Sequence, residues 1–277
     1  MNLDIILNNW RILIVCLLTA FINSLTIASG AARIAGVKTK RIATSLTLFN
    51  LFALISRLAN LCQAPIMGSI ADLAVVEHKL DFLLYQIRYI IVCATVGAII
   101  GGILTPTFVN MYIKGIRAFE RIGSLPKVLI KIMDPRYMGK VFETFEVPQF
   151  SRWREMSLGS LPKGFLIANV FMTAIWTIGV LAAIYVSAEI PTYVRTATLL
   201  SGLINGIATV MFTLLVDPTA AIITDQAVAG IRKEEEVTRM VFYLIIGTVI
   251  GTILAQFFFL PATAYIKYVV KFLAGEG

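Results

Sequence analysis

Two stretches of this sequence, one in each half, follow the same pattern of residues. In the first, Arg41, Ala43, Thr44 and Leu46 open an apolar run that meets Pro65 and continues through Ile70, Asp72, Ala74 and Val75. In the second, Arg195, Ala197, Thr198 and Leu200 open a run that meets Pro218 and continues through Ile223, Asp225, Ala227 and Val228. The next run of each half carries Gly97, Ile100, Gly101, Ile103 and Leu104, answered by Gly247, Ile250, Gly251, Ile253 and Leu254. Any two apolar segments share Leu, Ile and Ala, but shared Arg, Pro, Asp and Gly do not follow from hydrophobicity alone. A unit of three membrane crossings written twice places its copies in opposite orientations, because three is odd. The predicted fold is therefore an all-α integral membrane protein. Its six transmembrane helices form two inverted three-helix repeats, with interrupted helices near Pro65 and Pro218.

A chain that is 58% hydrophobic and only 14% charged cannot wet the surface of a soluble domain. Apolar runs near 11–32, 41–64, 84–112, 165–188, 196–216 and 240–262 are each long enough to cross the hydrocarbon layer as helix. We expect one membrane domain over 1–277, with 1–113 as the first repeat, 114–164 as a cytoplasmic amphipathic connection and 165–277 as the second repeat. The first run follows Arg11, contains small polar residues and belongs to the repeat, so it reads as a retained helix and not a cleaved signal. Most of the 24 Lys and Arg fall in three loops: Arg33 to Arg41, Lys114 to Lys163, and Arg232 to Arg239. The positive-inside rule places these loops in the cytoplasm and both termini outside. The net charge of +8 thus speaks of the inner leaflet and gives no reason to expect nucleic acid. In the connection, Val128, Leu129, Ile132 and Met133 lie beside Lys127, Lys131 and Arg136, between Pro126, Pro135, Pro148 and Pro162. That pattern suits a helix in the headgroup layer.

Arg57 is the costliest residue of the chain, since a guanidinium facing lipid in mid-helix costs several kcal/mol. At helical spacing Asn50, Arg57 and Asn60 share an arc of about 80°, and Gln63 follows just before Pro65. In the other half Thr198, Ser201, Asn205 and Thr209 lead toward Asp217 and Pro218. Two readings stay open. These residues line a cationic, hydrogen-bonding cavity between the repeats, or Arg57 pairs with a carboxylate such as Asp217, in a structural contact or a gate. The Gly97/Gly101 and Gly247/Gly251 patterns suit close packing within one subunit, with a homodimer seam as the other use. Asp72, Glu77, His78 and Asp81 match no metal-ligand spacing and read as a solvated turn. Cys16, Cys62 and Cys93 fall within apolar runs and imply neither a disulfide framework nor a metal set. Without a phosphate-cradling loop or a nucleophile with a matched base, no enzyme activity and no cofactor is expected.

The stretch Ser29-Gly-Ala-Ala-Arg33-Ile-Ala-Gly36-Val-Lys-Thr-Lys-Arg41-Ile-Ala, with Phe49-Asn50, Ser56-Arg57-Leu-Ala-Asn60 and Gln63-Ala-Pro65, resembles the Amj family of bacterial lipid II flippases, an alternative to the MurJ-type flippase. The resemblance covers the chain, its distinctive motif lies within 29–65, and it departs at Gly30, where an aromatic residue is expected. It implies a bacterial plasma-membrane protein that moves an undecaprenyl-pyrophosphate-linked disaccharide-pentapeptide from the inner to the outer leaflet. Arg57, Asn50, Asn60, Gln63, Arg33 and Arg41 are then the candidate substrate-handling residues. Asp217, Asn205, Pro65, Pro218 and Asp225 are candidates for gating or coupling. Cationic and N–H groups suit a pyrophosphate that must shed water. The alternative is an ion-coupled transporter of a small anionic solute with Asp217 and Asp225 at its coupling site. A lipid-modifying enzyme built around His78 is a further alternative.

Overall fold

The computed structural model describes residues 10–124, 127, 145–146 and 161–275, and every regular element among them is helical. The helices are α1 (Trp10–Thr39), α2 (Ile42–Val76), α3 (Leu80–Ile103), α4 (Thr105–Ile122), α5 (Lys163–Glu189), α6 (Val194–Leu215), α7 (Asp217–Val228) and α8 (Glu234–Ala274), with a 3-10 turn at Pro191–Tyr193 before α6. Six segments are long and apolar enough to cross a membrane: α1, α2, α3, α5, the stretch Pro191–Val228, and α8. The chain is a multi-pass membrane protein.

Tight helix ends set the turns. Lys40 and His78 both take a left-handed backbone with φ near 56° and 55°. In each case the next residue's N–H reaches back to a carbonyl five residues earlier, Arg41 to Gly36 and Lys79 to Ala74. The same closure recurs after α7, where Gly230 takes φ 74° and the Ile231 N–H bonds the Gln226 carbonyl. This left-handed termination satisfies carbonyls that the helix end would otherwise orphan, and glycine adopts it without strain.

In each half, the first helix carries the other two. α1 packs along α2 and α3, and α5 packs along α6 and α8, while the halves meet chiefly where α8 lies against α3 and α1. Glycines set the spacing. A Cβ on Gly97 or Gly101 would strike the backbone of Ala20 or Ser24 on α1 at 2.2 and 2.8 Å. One on Gly247 or Gly251 would strike Asn169 or the Val170 carbonyl on α5 at 2.5 and 2.6 Å. Both Gly-x-x-x-Gly seams are thus spent inside the subunit. Gly30, where an aromatic was expected, is likewise a close approach, with Val241 of α8 at 2.7 Å from the position of an added Cβ.

Buried apolar side chains form two clusters at opposite ends of the bundle. One joins Ile12, Met67, Leu83, Ile184, Leu200 and Phe259. The other joins Ala31, Leu48, Tyr112, Phe165, Ile223 and Met240. Between them, at mid-depth, the buried residues include Thr19, Gln63, Asn169, Thr248 and Thr252.

Several sequence expectations are corrected. The third crossing, expected to run to 112, ends at Ile103, and Leu104 turns the chain into α4. Pro106 sits in the first turn of α4, where its missing N–H costs nothing. From there the sequence becomes amphipathic, seating Val109, Tyr112 and Ile116 on the bundle and leaving Lys114, Arg117 and Arg121 outside. The helix expected to be interrupted near Pro65 is continuous, because α2 runs through that proline. Pro65 removes one rung of the ladder, and the flanking rungs keep the chain helical through it. Near Pro218, α6 and α7 are separated by the single residue Val216, whose backbone stays in the right-handed helical region at φ −98° and ψ −52°. Arg33 and Arg239, assigned to loops, lie within α1 and α8. The apolar patch at Val128 to Met133 with Lys131 and Arg136, and Pro126, Pro135 and Pro148, lie outside the described residues. Pro162 caps the start of α5.

Candidate functional site

α2 and the span formed by α6 and α7 stand apart from the rest by how little of them the protein covers. In their most apolar windows only 17% and 11% of residues are buried, against 33% to 44% in the other spans. The two do not pack along one another. Their middle portions therefore face outward from the bundle, and the polar residues there are free to meet something other than this protein. On α2, Asn50, Arg57 and Asn60 are all exposed. Arg57 has no hydrogen bond or ion pair among the described residues. Arg57 thus makes no pair with Asp217, and it lies on the outward side of α2. On α6, Thr198 and Thr209 are exposed, but their hydroxyls bond the Val194 and Asn205 carbonyls of their own helix at 2.8 and 2.7 Å.

Gln63 and Asn205 turn inward instead. The Gln63 Nε2 donates to the Thr19 hydroxyl at 3.0 Å, and that hydroxyl donates to the Val15 carbonyl at 2.8 Å. Asn205 lies over the bare backbone of Gly179, its Oδ1 at 2.2 Å from where a Cβ would stand. The Gln63 Oε1 and Asn205 Oδ1 are buried and have no hydrogen-bond donor among the described residues. Each therefore keeps an acceptor available at mid-depth, which is costly unless something donates to it in another state.

The partner of Asp217 is Arg33. The Arg33 Nη2 donates to the Asp217 Oδ1 at 3.1 Å, the side chains being 20% and 45% exposed. This bond ties α1 of the first half to the junction between α6 and α7. Beside it lies a cavity of about 130 Å³ lined by Arg33, Gly36, Ile42, Leu46, Thr224 and Asp225, among others. Arg41, grouped with the substrate-handling residues in the sequence, caps α2 and pairs with Glu120 of α4 at 2.6 Å. Both of those groups are well exposed, so the pair contributes little to stability. Glu77 pairs with Lys79 at 2.8 Å, and Asp72, Glu77, His78 and Asp81 are all exposed. Among the described residues no group of His, Cys, Asp and Glu could hold a metal ion.

The structure also brings together a pair that sequence reasoning did not single out. The Arg88 Nη1 donates to both the backbone carbonyl and the Oε1 of Gln256, at 3.2 and 3.3 Å. The Gln256 Nε2 returns a bond to the Arg88 carbonyl at 2.8 Å. This reciprocal contact fastens α3 to α8 where the halves meet. Its signal in the sequence was an arginine and a glutamine, Arg88 and Gln256, each inside an apolar run.

A family model described as "Amj: Alternate to MurJ" matches residues 18–270. A protein of Bacillus subtilis (strain 168) named lipid II flippase Amj is 31% identical over 262 residues, spanning 94% of this chain and 97% of that protein. No solved structure matches. With the match running from the first half of α1 to the last turns of α8, this chain belongs to the Amj family.

Proposed function

We propose that this protein carries lipid II, the undecaprenyl-pyrophosphate-linked peptidoglycan precursor, from the inner to the outer leaflet of a bacterial plasma membrane. The substrate class comes from the relative named as a lipid II flippase, which aligns over nearly the whole chain. The observation that carries the mechanism is Arg57, an exposed guanidinium at the middle of a membrane helix with no partner among the described residues. An anionic group crossing the membrane needs such a cation to replace its water, and a cation so placed needs an anion. Asn50 and Asn60 on the same helix add amide donors beside it. The prenyl chain stays in lipid, along the uncovered sides of α2 and α6.

Alternating access fits the distribution of buried side chains. Two apolar clusters close the bundle above and below a mid-depth layer that holds Gln63, Asn169 and several threonines. Opening one cluster at a time would expose this layer, beside the Arg57 face of α2, to the headgroup from one leaflet and then the other. The reading of the chain as two inverted repeats, 1–113 and 165–277, is supported by the shared residue pattern and by glycine seams at corresponding places in both halves. In this arrangement both termini are extracytoplasmic, α4 lies at the cytoplasmic surface, Arg33 and Arg41 stand at the cytoplasmic entrance, and Asp217, Asp225 and Pro218 govern its closure.

The test is purified protein in liposomes with labelled lipid II, read as leaflet exchange with and without an imposed potential. Exchange well above that of protein-free vesicles is expected, and the comparison reports the energy coupling. Protein that is correctly inserted and yet leaves exchange at the protein-free rate overturns the proposal.

A further inference from the structure

Arg33 offers five N–H donors, and among the described residues a single one is used, in one contact to one oxygen of Asp217. A second carboxylate, Asp225, lines the same cavity and has no side-chain partner among the described residues. The cation at the cytoplasmic entrance is thus outnumbered by the acids around it, and at rest the cluster as a whole is negative. An anion approaching from the inner leaflet meets repulsion unless it competes for Arg33 strongly enough to displace Asp217. Displacement is made easier by position. Asp217, the first residue of α7, has a side chain that is 45% exposed, so water can solvate the carboxylate once Arg33 is withdrawn.

We propose that Asp217 is a specificity-determining residue: it occupies Arg33 so that a diphosphate-linked lipid can take the guanidinium, and the monoanionic phospholipids of the same leaflet cannot. A phosphodiester headgroup brings one charge, the same as the carboxylate it would replace, and exchange gains nothing. A diphosphate diester brings a charge on each phosphate and enough oxygens to engage Arg33 through paired N–H donors, the stronger geometry for guanidinium. Discrimination of this kind works by an unfavourable competitor built into the site, and does not require extra contacts to the preferred ligand. The cavity volume, about 130 Å³, exceeds that of a few waters at roughly 30 Å³ each. This inference rests on the lipid-linked substrate proposed above.

The experiment measures leaflet exchange of labelled lipid II and of labelled phosphatidylglycerol in proteoliposomes containing wild-type, Asp217→Asn or Arg33→Gln protein. With the competing charge removed, Asp217→Asn lowers the ratio of lipid II to phosphatidylglycerol exchange about tenfold, the equivalent of about 1.4 kcal/mol. Arg33→Gln loses lipid II exchange. The charge-reversed double variant Arg33→Asp/Asp217→Arg keeps an ion pair, so its melting temperature stays near wild type while the selectivity ratio still changes. An unchanged ratio in both Asp217→Asn and the double variant overturns the proposal while leaving the flippase reading intact. A wild-type protein that moves no lipid II overturns both.

Discussion

Arg57 and Gly97 mark the two ways in which a single residue can matter here. Arg57 makes no hydrogen bond or ion pair among the described residues, so Arg57→Gln is expected to reach the membrane and melt as wild type does while lipid II exchange falls more than tenfold, the loss of one charge-assisted bond to a desolvated anion. Normal exchange by that variant would remove Arg57 from the transport path. Gly97 belongs wholly to the fold. Gly97→Val must push apart α1 and α3, whose backbones approach within 2.2 Å of the added carbon, at a cost of about 1–3 kcal/mol or more. Gly68, by contrast, has no atom within 4 Å of an added Cβ. Gly68→Ala is expected to stabilise α2 by about 0.5–1 kcal/mol, so paired thermal melts of the two variants should move in opposite directions. The sequence showed both classes of residue, the lone Arg by its cost and the glycines by their spacing. It could not show that Arg33, 184 positions away, is the partner of Asp217.

At the scale of elements, the contrast lies between the two prolines. Pro65 is embedded in a continuous helix, so Pro65→Ala restores a donor for the Leu61 carbonyl. A higher melting temperature with exchange unchanged is expected. Pro218 stands in the first turn after a one-residue junction. Pro218→Ala returns a donor toward the Leu214 carbonyl, favours joining α6 to α7, and so carries Asp217 away from Arg33. Slower exchange is the expected outcome, and exchange at the wild-type rate would mean that the junction does not move during transport. Identical residues at matching places in the sequence thus have different structural effects. Whether a proline breaks a helix depends on what packs around the freed carbonyl, and local sequence does not encode that.

At the scale of the whole molecule, the prediction is orientation. Lys79 lies in the α2–α3 turn and Lys40 in the α1–α2 turn, both exposed. Lys79→Cys should react with a membrane-impermeant maleimide in intact cells, and Lys40→Cys only after permeabilisation. The reverse labelling would invert the molecule and place the Arg33 cluster at the outer face. Native Cys16, Cys62 and Cys93 all lie within membrane spans, which leaves a low background for this measurement.

The sequence by itself determined the medium, the number of crossings and the residues that are expensive there. Hydrophobicity, helix length and the cost of an intramembrane charge are properties of single segments, and they survive being read one segment at a time. The tertiary structure alone decided which charge meets which, that the glycine seams are used within the subunit, that Gln63 and Asn205 turn inward while Arg57 stays outside, and that one proline lies inside a continuous helix while the other follows a one-residue junction. Each of these depends on the spacing between helices distant in sequence, which is set by the summed packing of the bundle and not by any one run of residues.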